Sequence, residues 1–387
     1  MSNNSFTKID DLIQRVALEA KDVEMVTVCS NYFFPEIVSF RSKEYLIWDE
    51  HYWMLFQNYL THYYLLNAIR KEGADASLIN NCKNVIMGDM YYFLSLKLSE
   101  YPHISYVLAK ECRRLSSKHF SVAVNTDSYS DFLNIILRYS KHFCLTHELQ
   151  HIENKLRPDE FFKCLDRFKY IIGKIKEYIG DDRDFYSPGR IDHVPESLID
   201  GAMTMIDQGH VFLEEIICDY VATVETSKSF RHLIRGATNS DLYQFSVLGL
   251  NTMQSFQGQL SGMYAWWKTA CQFYCKEISG YGFDKNSYDK INTERQNMSA
   301  LRYALSGIVN NFLIKFVYLK EHNEIFSENK LLVDMEDTYF IYIHKIFGLE
   351  IDKSAVRILE EANSISQKYT ESELIKMRNS LLELTVL

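Results

Sequence analysis

The chain has 387 residues, of which 47% are hydrophobic and 24% are charged, and this balance is typical of a soluble globular protein. Its formal net charge of −9 argues against a dedicated partner of nucleic acids or of anionic membrane surfaces. The length is compatible with one large core or with two domains.

The N-terminal residues lack the basic start and the apolar run of a secretory signal, so we expect no export. The eight cysteines are scattered, which is typical of free or buried thiols in a reducing compartment. The most apolar stretch, residues 300–319, is interrupted by polar and charged side chains, so no membrane span is expected. The sequence therefore predicts a cytoplasmic protein and leaves the oligomeric state open.

The N-terminal part of the chain predicts one helix followed by a small sheet. An amphipathic pattern over residues 6–21 indicates the helix. Short β-branched or aromatic runs at 25–29, 36–40 and 44–48 are separated by turn-forming residues. These runs predict three strands of a small antiparallel sheet.

Helices then dominate the pattern as far as the middle of the chain. Asp49 is a candidate N-cap for a helix over 50–71, and further helices are predicted at 77–99 and 103–115. Apolar and polar residues alternate over 118–125, which predicts one isolated strand.

The rest of the chain is predicted to be helical. Helices are expected at residues 130–155, 157–179, 209–226, 240–278, 293–320, 334–347, 353–368 and 371–384. A loop is predicted over 180–190, and Thr370 with Glu373 forms a candidate capping box before the last helix. The predicted fold class is mainly α (α+β), with a small antiparallel sheet near the N-terminus.

The predicted helix at 130–155 carries the strongest chemical signal in the chain, His147-Glu148-x-x-His151. Because helix positions four apart share a face, both imidazoles can bind one metal ion. Glu148 is rotated by about 100° from His147 and can therefore reach a water molecule rather than the metal. Catalytic zinc sites use three protein ligands, so a third ligand is required.

A later predicted helix contains candidates for that third ligand. Glu215 and Asp219 lie four apart, so Glu215 can complete a zinc site. Asp219 can then accept a hydrogen bond from a ring nitrogen of His147 or His151. Glu214 is a competing ligand, but it points about 100° away when Glu215 faces the metal.

The combination resembles the gluzincin metallopeptidases, in which H-E-x-x-H is followed on a later helix by E-x-x-(small)-D. Cys218 occupies the position of the small residue, where alanine is commoner. The predicted strand at 119–125 is similar to the edge strand on which such enzymes bind substrate by β-augmentation. The chain also looks similar to the bacterial phage-exclusion peptidases of the Lit type.

The resemblance implies a role for each matched residue. Zinc would be bound by His147, His151 and Glu215, with Asp219 supporting an imidazole and Glu148 as the general base toward a zinc-bound water. The implied activity is hydrolysis of peptide bonds in a protein or peptide substrate, by an intracellular protease with a role in bacterial defence.

The resemblance also implies a division of the chain and leaves some roles open. A zincin-like metallopeptidase domain is expected over 1–235, with a helical scaffold over 236–387. The donor that stabilises the oxyanion is not fixed by spacing, and the candidates are Tyr220, His210 and His232.

Two other functions stay open: a helical interaction protein with a structural metal site, and a metal-dependent hydrolase of non-peptide bonds. Cys144, three residues before His147, is expected to pack rather than to bind metal.

Overall fold

The computed structural model describes the sheet, the motif helix and most of the other helices of this chain. The described residues are 22–29, 35–71, 76–116, 130–181, 212–233 and 357–383, with Leu18, Thr204, Ser354 and a set of helical positions between Gly249 and Cys271. Most of the described residues are helical, so the fold is mainly α, as predicted.

The sheet contains three strands, β1 (Val23–Val28), β2 (Glu36–Phe40) and β3 (Lys43–Asp49), in the order β1-β3-β2. The central strand β3 is the most buried of the three, with Leu46 and Trp48 in the core. All three strands lie where the sequence predicts them, because each is a short run of β-branched and aromatic residues bounded by turns.

The sheet is mixed rather than antiparallel. Strands β2 and β3 form an antiparallel hairpin whose two turn residues, Arg41 and Ser42, have φ of 49° and 66°, as a type I′ turn requires. Strand β1 pairs with β3 in parallel, Val23 opposite Glu44. The antiparallel prediction is therefore correct for β2–β3 and wrong for β1–β3. The reason is that β1 pairs with β3 rather than with β2. Strand β2 runs opposite to β1, and the hairpin reverses the chain again, so β3 runs in the same direction as β1.

Seven helices follow the sheet in the described part of the chain. They are α1 (Glu50–Lys71), α2 (Ala76–Lys97), α3 (Pro102–Ser116), α4 (Ser130–Leu156), α5 (Pro158–Asp181), α6 (Phe212–Leu233) and α7 (Glu371–Glu383). Further helical residues lie between Gly249 and Cys271 and at 357–366. These agree with the helices predicted from the sequence.

Two predicted caps are confirmed. The Asp49 carboxylate accepts a hydrogen bond from the backbone N–H of His51 at 2.9 Å and so caps the first turn of α1. The backbone N–H of Thr370 donates to the Glu373 carboxylate at 2.8 Å, and the Glu373 N–H donates back to the Thr370 hydroxyl at 3.4 Å. Side chains thus satisfy backbone groups that helix ends leave without an intrahelical partner.

The chain divides into two compact units, each assembled from separate stretches of sequence. Among the described residues, one unit contains the sheet, the start of α1, most of α4, and helices α5 and α6. The other contains the remainder of α1, helices α2 and α3, and the C-terminal helical residues. The expected division into 1–235 and 236–387 stays a prediction.

The middle of α4 is packed closely within its unit. The Ser140 hydroxyl donates to the Gly249 carbonyl at 3.1 Å, and a Cβ at Gly249 would lie 2.8 Å from Cδ1 of Tyr139, so only glycine permits this approach. One turn further on, Cys144 Sγ lies 3.2 Å from Met253 Sδ. Cys144 therefore packs in the interior, as expected, and α4 is held firmly just before His147.

Some predicted elements lie outside the described residues. They are the helix at 6–21 except for Leu18, the strand at 118–125, most of the loop at 180–190, and the helices at 293–320 and 334–347. Among the helices that the structure does describe, none combines the length and the apolar character needed to cross a membrane.

Candidate metal centre

The two motif histidines lie side by side on one face of α4. The Nε2 atoms of His147 and His151 are 3.3 Å apart, and their ring centroids are 5.1 Å apart. This is the geometry that helix positions four apart produce when both side chains point the same way. Both coordinating nitrogens are thus directed at one point in space.

Helix α6 brings Glu215 to the same point. One carboxylate oxygen of Glu215 lies 3.5 Å from His147 Nε2, and the other lies 3.5 Å from His151 Nε2. Of the described residues, these three form the group whose ligand atoms all lie within 4.8 Å of one another. The structure therefore brings together all three residues that the sequence predicts as ligands.

The spacing of these ligand atoms fits a small tetrahedral metal ion. Zinc binds imidazole nitrogen and carboxylate oxygen at about 2.0–2.2 Å, so two ligands of a tetrahedral site lie about 3.3–3.5 Å apart. The shortest distances within the group are 3.3 Å and 3.5 Å. Two imidazoles and one carboxylate also match a type of donor set that zinc hydrolases use, with a fourth position open.

The other nitrogen of each imidazole lies against a carboxylate of α6. Asp219 Oδ1 is 2.9 Å from His147 Nδ1, where the sequence analysis expects a carboxylate behind a ligand histidine, but the pair lacks the geometry of a hydrogen bond. Glu214 Oε1 is 2.9 Å from His151 Nδ1. Glu214 was a competing ligand in the sequence interpretation, and here its carboxylate contacts the outer side of an imidazole instead.

Glu148 is held by a backbone group of the sheet. The N–H of Ile37 in β2 donates a hydrogen bond to Glu148 Oε2 at 3.2 Å, across a separation of 111 residues. Sequence reasoning missed this contact because nothing in the pattern relates β2 to the motif helix. The carboxylate next to the candidate ligands is therefore anchored through one oxygen.

Negative charge dominates the centre. Burial lowers the pKa of His147, but Asp219 and Glu215 outweigh that effect and raise its pKa to about 10. Burial raises the pKa of Glu148 and outweighs the two imidazoles, which act to lower it. The carboxylates that lie against the two imidazoles give the centre a negative character that favours a cation.

The candidate oxyanion donors are not brought to this centre by any described contact. The Tyr220 ring packs near Phe168 of α5, with ring centroids 6.1 Å apart, and burial raises its pKa. His210 and the side chain of His232 lie outside the described residues. Cys218 is buried, and its sulfur accepts a contact from the Asn154 amide at 3.5 Å. The oxyanion donor therefore stays unassigned.

Comparisons with protein-family models, with curated proteins and with solved structures found no match to this chain. The functional interpretation consequently rests on the sequence motif and on the geometry of the centre.

Proposed function

We propose that this chain is a zinc-dependent metallopeptidase similar to the gluzincin type. The observation that carries the proposal is the meeting of His147, His151 and Glu215 at distances that fit tetrahedral zinc. The charge of the centre also supports it, because carboxylates surround the two imidazoles and favour a cation between them.

Zinc in this position would act as a Lewis acid and lower the pKa of a bound water molecule toward 7. The two imidazoles and Glu215 would bind the ion, and the two α6 carboxylates at the Nδ1 atoms would keep both Nε2 lone pairs directed inward. His147 and Asp219 are nearly buried, whereas a third of the Glu215 side chain is exposed. The centre is therefore open to a substrate on the Glu215 side.

We assign the role of general base to Glu148. The Ile37 N–H occupies Oε2, so the remaining lone pairs of the carboxylate are available to take a proton from the attacking water. The same carboxylate can afterwards return the proton to the leaving amine.

The position of β2 supports a peptide as substrate. In the described sheet order β1-β3-β2, strand β2 has β3 on one side only, and its Ile37 N–H is directed at Glu148. An extended peptide that added to β2 would lie along the general base, with its own backbone groups paired. The strand expected for this role at 119–125 stays a prediction, since it lies outside the described residues.

The test is a substrate panel for the zinc-loaded protein: an unfolded polypeptide, simple esters and nucleotides, each with and without a chelator. We expect cleavage within the polypeptide that the chelator abolishes and that Glu148→Gln lacks. Activity confined to esters or nucleotides would instead make the chain a non-peptide hydrolase. Bound zinc without any hydrolysis in the panel would favour a structural metal site in an interaction protein.

A further inference from the structure

Glu214 lies beside Nδ1 of His151 as Asp219 lies beside Nδ1 of His147, and of these two contacts the one made by Glu214 has hydrogen-bond geometry. Its Oε1 atom lies 2.9 Å from His151 Nδ1, on the opposite side of the ring from the Nε2 atom that faces the centre. At this distance the neutral imidazole donates from Nδ1, and the lone pair stays on Nε2, where a metal ion requires it. The carboxylate therefore selects the tautomer that can bind metal.

Helix α6 thus carries a ligand and two imidazole partners within one turn and a half. Glu215 faces the centre, Asp219 lies one turn later behind His147, and Glu214 lies behind His151. The two partners differ in environment: 8% of the Asp219 side chain is exposed, compared with 44% of the Glu214 side chain. Solvent competes with the Glu214 contact, so its effect should be the smaller of the two.

We infer that Glu214 is a positioning residue that fixes the orientation and tautomer of His151 and thereby raises the zinc affinity of the centre. This inference rests on the proposed metal site. Partners of this kind behind a ligand histidine change metal affinity by about 10–100-fold when they are removed.

A simpler role for Glu214 has to be separated from this one. Glu214 lies in the first turn of α6, where any acidic side chain interacts favourably with the helix dipole. That role would affect the stability of the metal-free protein and leave the affinity for zinc unchanged. The experiment therefore has to measure both.

The chain offers a matched control on the same helix. Glu225 is exposed to a similar degree as Glu214, and its carboxylate pairs with Lys228 at 2.8 Å. The experiment compares Glu214→Ala, Glu214→Gln and Glu225→Gln with the unchanged protein. It measures the zinc dissociation constant by chelator competition, the visible spectrum of the cobalt-loaded protein, and the thermal unfolding of the metal-free protein.

We expect Glu214→Ala to raise the zinc dissociation constant by about 10–100-fold and to shift the cobalt absorption bands. Glu214→Gln should show a smaller rise, because the amide oxygen still accepts the hydrogen bond from Nδ1 but has lost the charge. Glu225→Gln should match the unchanged protein in zinc affinity and in the cobalt spectrum.

The inference is overturned if Glu214→Ala matches Glu225→Gln in zinc affinity and in the cobalt spectrum, whatever its effect on thermal unfolding. His151→Ala in the same assay separates this failure from failure of the metal site. Zinc bound by the unchanged protein, lost in His151→Ala and retained in Glu214→Ala would refute the positioning role alone. Absence of zinc binding by the unchanged protein would refute both.

Discussion

Each of the two compact units contains a group of paired charged side chains, and the two groups differ in what lies against their carboxylates. In the candidate metal centre, Glu214, Glu215 and Asp219 contact imidazole nitrogens. In the other unit, Glu111 of α3 is buried and lies 2.9 Å from both Arg114 and Arg357. We refer to these three residues as the Glu111 cluster.

The difference lies in the permanence of the positive partner. A guanidinium group is always charged, so the Glu111 cluster is neutralised by its own side chains at any ordinary pH. An imidazole, unlike a guanidinium group, can lose its proton and bind a metal ion through the nitrogen that is freed. The Glu111 cluster is therefore suited to holding helices together, and the candidate metal centre is suited to holding an added cation.

The largest expected effect is a loss of hydrolysis at the candidate metal centre without a loss of stability. Glu148→Gln keeps the shape of the side chain but removes the general base, so we expect hydrolysis to fall by at least about 100-fold. Zinc content and thermal unfolding should change little. The matched control is Glu153→Gln on the same helix, whose partner is the exposed Arg157. Equal loss of activity in both variants would contradict a special role for Glu148.

Removal of metal should affect only one of the two clusters. A ligand that binds the folded state alone stabilises it by about 2.7 kcal/mol when its free concentration is about 100 times its dissociation constant. At that zinc concentration we therefore expect the free energy of unfolding of the unchanged protein to rise by about 2.7 kcal/mol. Glu215→Ala should lose this stabilisation, whereas Arg357→Met should keep it. A zinc effect that persists in Glu215→Ala would place the ion elsewhere.

Breaking the Glu111 cluster should have the converse result. Glu111→Gln leaves two guanidinium groups that are about half exposed, so water compensates them in part. We expect the free energy of unfolding to fall by about 1–3 kcal/mol, measured by urea denaturation. Zinc affinity should stay unchanged. A loss of zinc binding in this variant would show that the two clusters are not independent.

The smallest expected effect is a change with pH in the stability difference between the unchanged protein and Glu111→Gln. Burial acts to raise the pKa of Glu111, but hydrogen bonds from Arg357 and Arg114 outweigh it and lower the pKa below the ordinary value of 4.5. A pKa that is depressed in the folded state contributes stability above the unfolded value, and this contribution is lost as the pH falls through the folded value. The urea midpoints of the unchanged protein and of Glu111→Gln should therefore converge as the pH is lowered below about 4.5. A constant gap down to the acid limit would argue against this linkage.

The sequence predicted those parts of the molecule that depend on local pattern. The three strands follow from β-branched and aromatic runs, and the starts of α1 and α7 follow from Asp49 and from the Thr370 capping box. The three candidate ligands follow from helix periodicity, since His147 and His151 are one turn apart and Glu215 and Asp219 are one turn apart.

Contacts between distant segments could not be predicted in this way. The parallel pairing of β1 with β3 depends on which strand becomes central in the sheet, and strand pattern does not specify that choice. The hydrogen bond from Ile37 to Glu148 depends on how the sheet meets α4. For Glu214, helix geometry directs the side chain away from the face that carries Glu215, but it does not reveal that the outer nitrogen of His151 lies there.

The most direct test of the metal centre is the zinc content of the purified protein, measured by elemental analysis beside His151→Ala, Glu215→Ala and Glu111→Gln. The account predicts about one zinc per chain in the unchanged protein and in Glu111→Gln, with little or none in the two ligand variants. Absence of zinc from the unchanged protein after incubation with the metal, or equal zinc in all four, would contradict the assignment of His147, His151 and Glu215 as its ligands.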